Sequence, residues 1–330
     1  MRRRKFLGLV RGVAVVLPHV TRAQPVRRHF RIGYLAAEVG RAVLNSYFAQ
    51  EMEKLGYVEG IDFSIEWRFA DWNYDRLPAL ALELSNLRVD VIVATTNLAV
   101  RAAQSASREI PIVMAVSNDP VRMGLVDSLA RPGGNTTGLS SANDEAAAKQ
   151  LHLLTSMVPN LARVGHLINA ARPETVNPYL SKTPTYLQVA AQRIGIAIQR
   201  IGVANPNDFE NTFSKMSNEH MQAFILDSNY LFNAETLRIA KLALTWKLPS
   251  ISQRRGYAEA GGLMSYGESA REFVRRTAYF VDKILKGARP ADLPVELPTR
   301  FELVINRKTA NLLELTIPTQ LLTIADGILE

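Results

Sequence analysis

The strongest constraint in this sequence is a repeated alternation of short β-branched runs with longer segments of helical periodicity. Such alternation is typical of parallel sheets that are built from βαβ units. The sequence therefore predicts an α/β fold with two doubly wound, Rossmann-like lobes. The predicted strands of the first series are 31–36, 62–67, 90–94, 112–116 and 137–140, and those of the second are 163–168, 197–201, 223–227, 250–252 and 262–265.

Helices are predicted between these strands, followed by a tail that departs from a simple tandem. A helix at 270–285 is stopped by Gly287, and a proline-rich stretch then leads to a last strand at 301–305. This spacing predicts that the chain returns to the first lobe and leaves it again. The other predicted helices are 42–55, 74–87, 98–107, 123–130, 144–157, 184–193, 207–216, 234–246 and 256–260.

Three crossings between the lobes are expected to form a hinge, near 140–143, 266–269 and 294–298. The first lobe then comprises residues 24–141 plus 267–296. The second lobe comprises residues 142–266 plus 297–330. A length of 330 residues agrees with two lobes, because single cores stop growing beyond roughly 250–300 residues.

Residues 1–23 have the pattern of a signal peptide. A basic start precedes an apolar stretch at 6–17, and small residues at Thr21 and Ala23 predict cleavage after Ala23. Paired arginines at 3 and 4 resemble the twin-arginine export signature. The general export route stays open as an alternative, because Arg11 interrupts the apolar stretch. A membrane anchor is a second alternative, although a membrane span needs about 20 apolar residues. Export to the periplasm is the favoured prediction.

The positive charge belongs mainly to this leader. Six basic residues and no acidic residue lie before residue 24, so that only +2 of the net +8 is left for the rest of the chain. We therefore expect no nucleic-acid partner.

Cysteine and the common catalytic motifs are absent. The chain has no cysteine, which excludes disulfides, thiolate metal sites, a cysteine nucleophile and a lipid-modified cysteine. It has no nucleophile elbow and no phosphate-binding loop. Its five histidines lack metal-ligand spacing. We therefore predict no enzyme, no catalytic residue, no cofactor and no metal.

The candidate ligand-binding residues follow the predicted strands, because open parallel sheets bind ligands outside the carboxyl ends of their strands. Polar side chains of the first lobe are expected to hold a carboxylate or amide, and the second lobe and hinge to supply apolar cover. The alternative is that these residues only cap helices, form turns or, for the tyrosine, pack in the core. The candidates are Thr95, Thr96, Asn97, Ser117, Asn118, Asp119, Asn169, Asp227, Ser228 and Tyr266.

Motifs spread over nearly the whole chain resemble one known family, the ABC transporter substrate-binding proteins related to the tryptophan- and tyrosine-binding type. Among them are GYVEG at 56–60, RPGGNTTG at 131–138, AGGLMSYG at 260–267, PADLPV at 290–295 and FELVIN at 301–306. The resemblance implies a type I periplasmic-binding fold and delivery of a ligand to a membrane permease.

The partners expected from this resemblance are a small-molecule ligand, such as an amino acid or small carboxylate, and the transmembrane subunit of an ABC permease, and the protein itself is expected to be a monomer. Three alternatives stay open. A ligand-binding sensor without a transport role is one, and an α/β enzyme is another. The third is a sugar-type transcriptional repressor, which shares the fold. Such a repressor needs a helix-turn-helix before the first strand, and this chain has the predicted leader at that position.

Overall fold

The computed structural model of this chain describes residues 28–37, 43–141, 143–170 and 186–330. The predicted signal peptide and its cleavage site lie outside these residues. The described residues form two sheets, one of five strands and one of seven.

The first sheet is parallel throughout, with the spatial order β2-β1-β3-β4-β5. Its strands are β1 (Phe30–Ala36), β2 (Phe63–Phe69), β3 (Val91–Ala94), β4 (Ile112–Asn118) and β5 (Thr136–Ser141). Its helices are α1 (Val43–Lys54), α2 (Leu77–Asn86), α3 (Asn97–Ala106) and, from much later in the chain, α10 (Ala270–Leu285).

Helices cover both faces of this first sheet. Ile32 and Tyr34 of β1 pack with α1 and α10, whereas Leu35, the residue after Tyr34, packs with α2 and α3. This division follows from the two-residue period of a strand, which sends successive side chains to opposite faces. Because both faces are buried, the central strand β3 is apolar throughout, whereas the edge strand β2 alternates with polar residues.

The second sheet has the order β12-β11-β10-β9-β8-β6-β7. Its strands are β6 (Arg163–Asn169), β7 (Ala197–Val203), β8 (Ala223–Leu226), β9 (Ser250–Ser252), β10 (Met264–Glu268), β11 (Phe301–Asn306) and β12 (Gly327–Leu329). Its helices are α4 (Asn143–Met157), α5 (Tyr186–Arg193), α6 (Phe209–Asn218), α7 (Tyr230–Ala234), α8 (Thr236–Thr245), α9 (Arg255–Glu259), α11 (Arg307–Leu312) and α12 (Thr319–Ile324). Residues of α4 and α5 cover one face, and residues of α6 and α8 cover the other.

Strand β11 is the exception to parallel pairing in this sheet. It runs antiparallel to β10, with Phe301 opposite Glu268 and Ile305 opposite Met264. The chain leaves the first lobe after Val295, which is buried in that lobe's core, and reaches the second sheet where β10 ends. It can therefore continue along β10 only in the opposite direction.

The helix predicted at 123–130 is wrong. The segment forms a turn instead, in which the Leu125 amide donates to the Pro120 carbonyl and the Gly124 amide to the Val121 carbonyl. Gly124 has a φ of 64°, the left-handed conformation that ends a helix. The apolar residues Leu125 and Val126 are nevertheless buried against the α2 and α3 side of the sheet.

Candidate ligand-binding site

Most of the predicted ligand residues lie at the carboxyl ends of parallel strands. Thr95 directly follows β3, and Ser117 and Asn118 end β4. In the second sheet Asn169 ends β6 and Asp227 directly follows β8. The strand ends place these residues in two groups, one at the edge of each sheet.

Three residues of the first group bond to one another. Asn97, the first residue of α3, accepts hydrogen bonds at Oδ1 from the Ser117 hydroxyl at 2.7 Å and from the Asn118 amide at 2.9 Å. Its Nδ2 donates to the Asn118 carbonyl at 2.8 Å. Ser141, at the end of β5, donates to Asn118 Oδ1. These bonds hold the ends of β4 and β5 against the start of α3.

The two threonines before α3 have structural partners. Thr96 has extended backbone angles, and its hydroxyl accepts a hydrogen bond from the Ala99 amide at 3.2 Å, so it is the N-cap of α3. The Thr95 hydroxyl accepts from the Ala37 amide at 3.3 Å and connects β3 to the segment after β1. The capping alternative therefore describes a role that Thr96 does have.

Asp119 stands at the beginning of a turn rather than inside a helix. Its φ of 43° is left-handed, which asparagine and aspartate tolerate better than most residues. One carboxylate oxygen accepts from the Arg122 amide at 3.2 Å. This bond closes the turn that leads away from β4.

A histidine holds the carboxylate of the second group. His166 in β6 is buried, and its Nε2 lies 3.0 Å from Asp227 Oδ1. The Asp227 side chain keeps 41% of its surface exposed, so the pair presents an oriented carboxylate at the edge of the sheet. Ser228 beside it is exposed, whereas Asn169 is half-buried.

Tyr266 lies in β10 and is half-buried. Its ring stacks on Phe301 at a centroid distance of 5.5 Å and an interplanar angle of 12°. Its carbonyl accepts from Gln150 of α4 at 2.7 Å. Burial and, secondarily, the Asp326 carboxylate raise the pKa of the Tyr266 phenol. The ring is thus neutral and supported from behind by Phe301.

Asn229 lies in the same loop as the predicted residues Asp227 and Ser228 but was not itself predicted to bind ligand. Its side-chain oxygen caps α7 by accepting from the Phe232 amide at 3.1 Å. Its Nδ2 is buried and has no hydrogen-bond partner. The sequence signal was its place in the loop after β8, two residues beyond Asp227, but an asparagine before an apolar segment is readily explained as a cap.

A cavity of about 350 Å³ lies where α10 meets the crossing from Val295 to β11. None of the predicted ligand residues lines it. Arg276 of α10 donates from Nε to Glu296 at 2.7 Å and stacks on the Tyr279 ring, 3.9 Å from its centroid. The cavity is lined by Leu139, Ser269, Glu272, Phe273, Arg275, Arg276, Glu296, Leu297, Pro298, Thr299 and Arg300.

Neither a metal centre nor a membrane-spanning helix is found in the described parts of the chain. Within them, no group of three or more histidine, aspartate or glutamate side chains is placed to hold a metal ion. No helix of these parts has the length and apolar character that crossing a membrane requires.

Several known proteins are similar to this chain over most of its length. The tyrosine-binding protein of Clostridioides difficile strain R20291 is 24% identical over 268 residues, which are 81% of this chain and 75% of that protein. An ABC domain from Streptococcus pneumonia, solved in complex with L-Trp, has a TM-score of 0.80 and 23% identity, covering 91% of this chain and 100% of that one. A conserved domain protein from Vibrio cholerae has a TM-score of 0.79 and 23% identity, covering 92% and 99%. The predicted fold class of two α/β lobes is confirmed.

The family comparison extends over most of the chain. The model of a family described as ABC transporter substrate binding protein matches residues 42–328. That range includes both sheets except β1 and the last residue of β12, and it includes every candidate ligand residue. The chain therefore belongs to the family of ABC transporter substrate-binding proteins.

Proposed function

We propose that this protein captures an aromatic amino acid, tryptophan or tyrosine, outside the cytoplasm and delivers it to the permease of an ABC importer. Membership of the family makes it a substrate-binding protein rather than an enzyme, as predicted. The observation that carries the proposed ligand is that two relatives spanning at least four-fifths of this chain are a tyrosine-binding protein and an L-Trp complex.

The proposed site lies between the strand ends of the two sheets. Asp227 suits the α-ammonium group of an amino acid, because His166 orients its carboxylate and leaves it exposed. Tyr266 supplies an aromatic surface for the ligand side chain. In the first lobe, hydrogen bonds among Asn97, Ser117 and Asn118 fix the conformation of the loop that faces the ligand.

Capture requires contacts with both lobes, because a ligand shifts the equilibrium only toward the state that it binds more tightly. The proposed lobes are 24–141 plus 267–296 and 142–266 plus 297–330. Closure then takes place at the three crossings, after β5, between β10 and α10, and between Val295 and β11. A hinge movement at a few such residues is the common way in which binding proteins close.

Calorimetric titration of the chain from Gln24 onward tests the ligand. Tryptophan, tyrosine and phenylalanine are compared with leucine and glutamate. Ligand at 100 times its Kd stabilises the protein by about 2.7 kcal/mol, so thermal unfolding provides a second measurement. Selective binding of an aromatic amino acid supports the proposal, and binding of only leucine or glutamate refutes the aromatic assignment.

Replacing Asp227 by asparagine tests the proposed ammonium contact. Because Asp227→Asn removes the counter-charge but keeps the shape, we expect the affinity to fall by about tenfold or more, as for a charge-assisted hydrogen bond. Asp208→Asn is the matched control, since Asp208 is an exposed carboxylate in the same lobe. Equal affinities of the two variants would remove Asp227 from the site.

The periplasmic location depends on residues 1–23, and twin-arginine export is part of the proposal. Residues 1–30 fused to a reporter, with Arg3 and Arg4 replaced by lysine, separate the two routes. Loss of export in the variant supports the twin-arginine route. Unchanged export assigns the leader to the general route, and failure of both fusions to leave the cytoplasm refutes export.

A further inference from the structure

Two buried polar atoms distinguish one edge of the second sheet. Among the described residues, the buried side-chain atoms without a hydrogen-bond partner are Asn229 Nδ2 and Ser265 Oγ. Ser265 of β10 is the register partner of Ser252, the last residue of β9, which pairs in turn with Leu226, the last residue of β8. Both atoms therefore belong to the part of the lobe where β8 and β9 end.

The orientation of the Asn229 amide follows from its hydrogen bond. The side-chain oxygen accepts from the Phe232 amide at 3.1 Å, and only an oxygen can accept there. The unpartnered atom is therefore the NH₂ group, a donor of two hydrogen bonds. The residue as a whole is half-buried, so it lies near the surface of the lobe although this nitrogen meets no water.

Capping does not account for this NH₂ group. Aspartate and serine cap helices about as well as asparagine does, and neither brings a second donor that has to be satisfied. A buried donor without an acceptor is rare in native proteins and calls for an explanation. A bound ligand can supply the acceptor that the protein alone does not provide for this group.

We infer that Asn229 binds the α-carboxylate of the ligand through Nδ2. The inference rests on the proposed function, and it names a contact that the sequence had assigned to the first lobe. In the first lobe the Asn97 and Ser117 side chains form hydrogen bonds within the lobe, and Thr96 caps α3. A carboxylate is the strongest acceptor of an amino acid, and its bond to an N–H is charge-assisted.

The neighbourhood of Asn229 fits the head group of an amino acid. Asp227, two residues earlier in the same loop, presents an exposed carboxylate that is held by His166. An acceptor for ammonium and a donor for carboxylate thus lie two residues apart in one loop, and the zwitterion of an amino acid carries the two matching charges. The unpartnered Ser265 hydroxyl lies in β10, in register with the last residue of β9.

A double-mutant cycle between protein and ligand tests the contact. The affinity of wild-type protein and of Asn229→Ser is measured for the aromatic amino acid and for its decarboxylated amine, tryptamine or tyramine. Serine keeps the cap of α7 but removes the amide. Asn205→Ser is the matched control, because Asn205 caps a short turn in the same lobe through the Asn207 amide at 2.9 Å but is exposed.

We expect Asn229→Ser to bind the amino acid roughly ten- to a hundredfold more weakly and the amine within about twofold of wild type. The melting temperature without ligand should stay close to that of the control. Equal losses for both ligands, or a loss matched by lower stability without ligand, assign Asn229 a structural role and overturn the inference. So does unchanged affinity for the amino acid. If the wild-type protein binds no amino acid, the proposed function fails and the inference with it.

Discussion

Replacing Gly267 by alanine tests how tightly β10 packs at the point where the chain turns toward α10. A Cβ atom at this position lies 2.0 Å from the Gln253 carbonyl oxygen and 2.8 Å from its carbonyl carbon. Both atoms belong to the backbone after β9, so no side-chain rotation relieves the clash. The two segments have to separate by roughly 1 Å to restore ordinary contact, and overpacking of this kind costs about 1–3 kcal/mol.

We expect Gly267→Ala to fall at the upper end of that range, near 3 kcal/mol, because the opposing atoms are rigid. In a lobe of about 150 residues, such a loss lowers the melting temperature by roughly 6–12 °C. Calorimetry of the ligand-free protein measures the shift, and urea unfolding gives the free energy directly.

Gly256→Ala is the matched control for this substitution. Gly256 lies in α9 of the same lobe, and a Cβ atom there meets nothing within 4 Å. Alanine at this helical position should stabilise the protein by about 0.5–1 kcal/mol. If Gly267→Ala is as stable as Gly256→Ala, the close approach of Gln253 to β10 is not a feature of the folded protein.

Three other perturbations have expected outcomes. Tyr57→Phe removes the hydrogen bond of 2.9 Å from the phenol to the buried Asp282 carboxylate, which Lys286 Nζ also contacts at 2.7 Å, and urea unfolding should show a loss of about 1 kcal/mol; no loss would show that Lys286 alone satisfies Asp282. Burial raises the pKa of the Tyr57 and Tyr257 phenols, and the hydrogen bond to Asp282 raises that of Tyr57 further. Each neutral phenol therefore contributes to the free energy of unfolding fully below the unfolded-state pKa of about 10, and this contribution is lost as the pH rises above that value. The free energy of unfolding should then decline by up to about 1.4 kcal/mol per pH unit for each tyrosine, and a flat profile from pH 10 to 11 would contradict this. Thr96→Ala should cost about 1 kcal/mol in thermal unfolding and Thr96→Ser much less, whereas equal losses would show that the cap of α3 is not what matters.

Local patterns were sufficient to predict every strand except β12, and most helices, but not α11 and α12. Strand β3, for example, is a short apolar run between a polar turn and a helix of clear period, and both of its faces are covered. The helix predicted at 123–130 failed because the apolar spacing there serves a turn that Gly124 ends by its backbone conformation. The antiparallel direction of β11 could not be read from its sequence, since it depends on where the third crossing enters the second sheet.

The candidate site divides in the same way. The rule that ligands bind at strand ends directed attention to the loops after β3, β4, β6 and β8 without a structure. Which side chains in those loops still have hydrogen-bonding capacity depends on partners that are distant in the sequence. Asn97 bonds to residues 20 and 21 positions later, and His166 to a carboxylate 61 positions later.

By itself the sequence determined the α/β class, the order of most elements and, through motifs along the whole chain, the family. These properties are encoded locally, in periodicity, turn residues and helix stops. Only the tertiary structure decided that Asp227 is held by His166, that Gly267 faces the Gln253 backbone, and that Asn229 keeps an unpartnered donor. Such facts arise from the packing of segments far apart in the chain, because each hydrogen bond or close contact needs both of its partners in place.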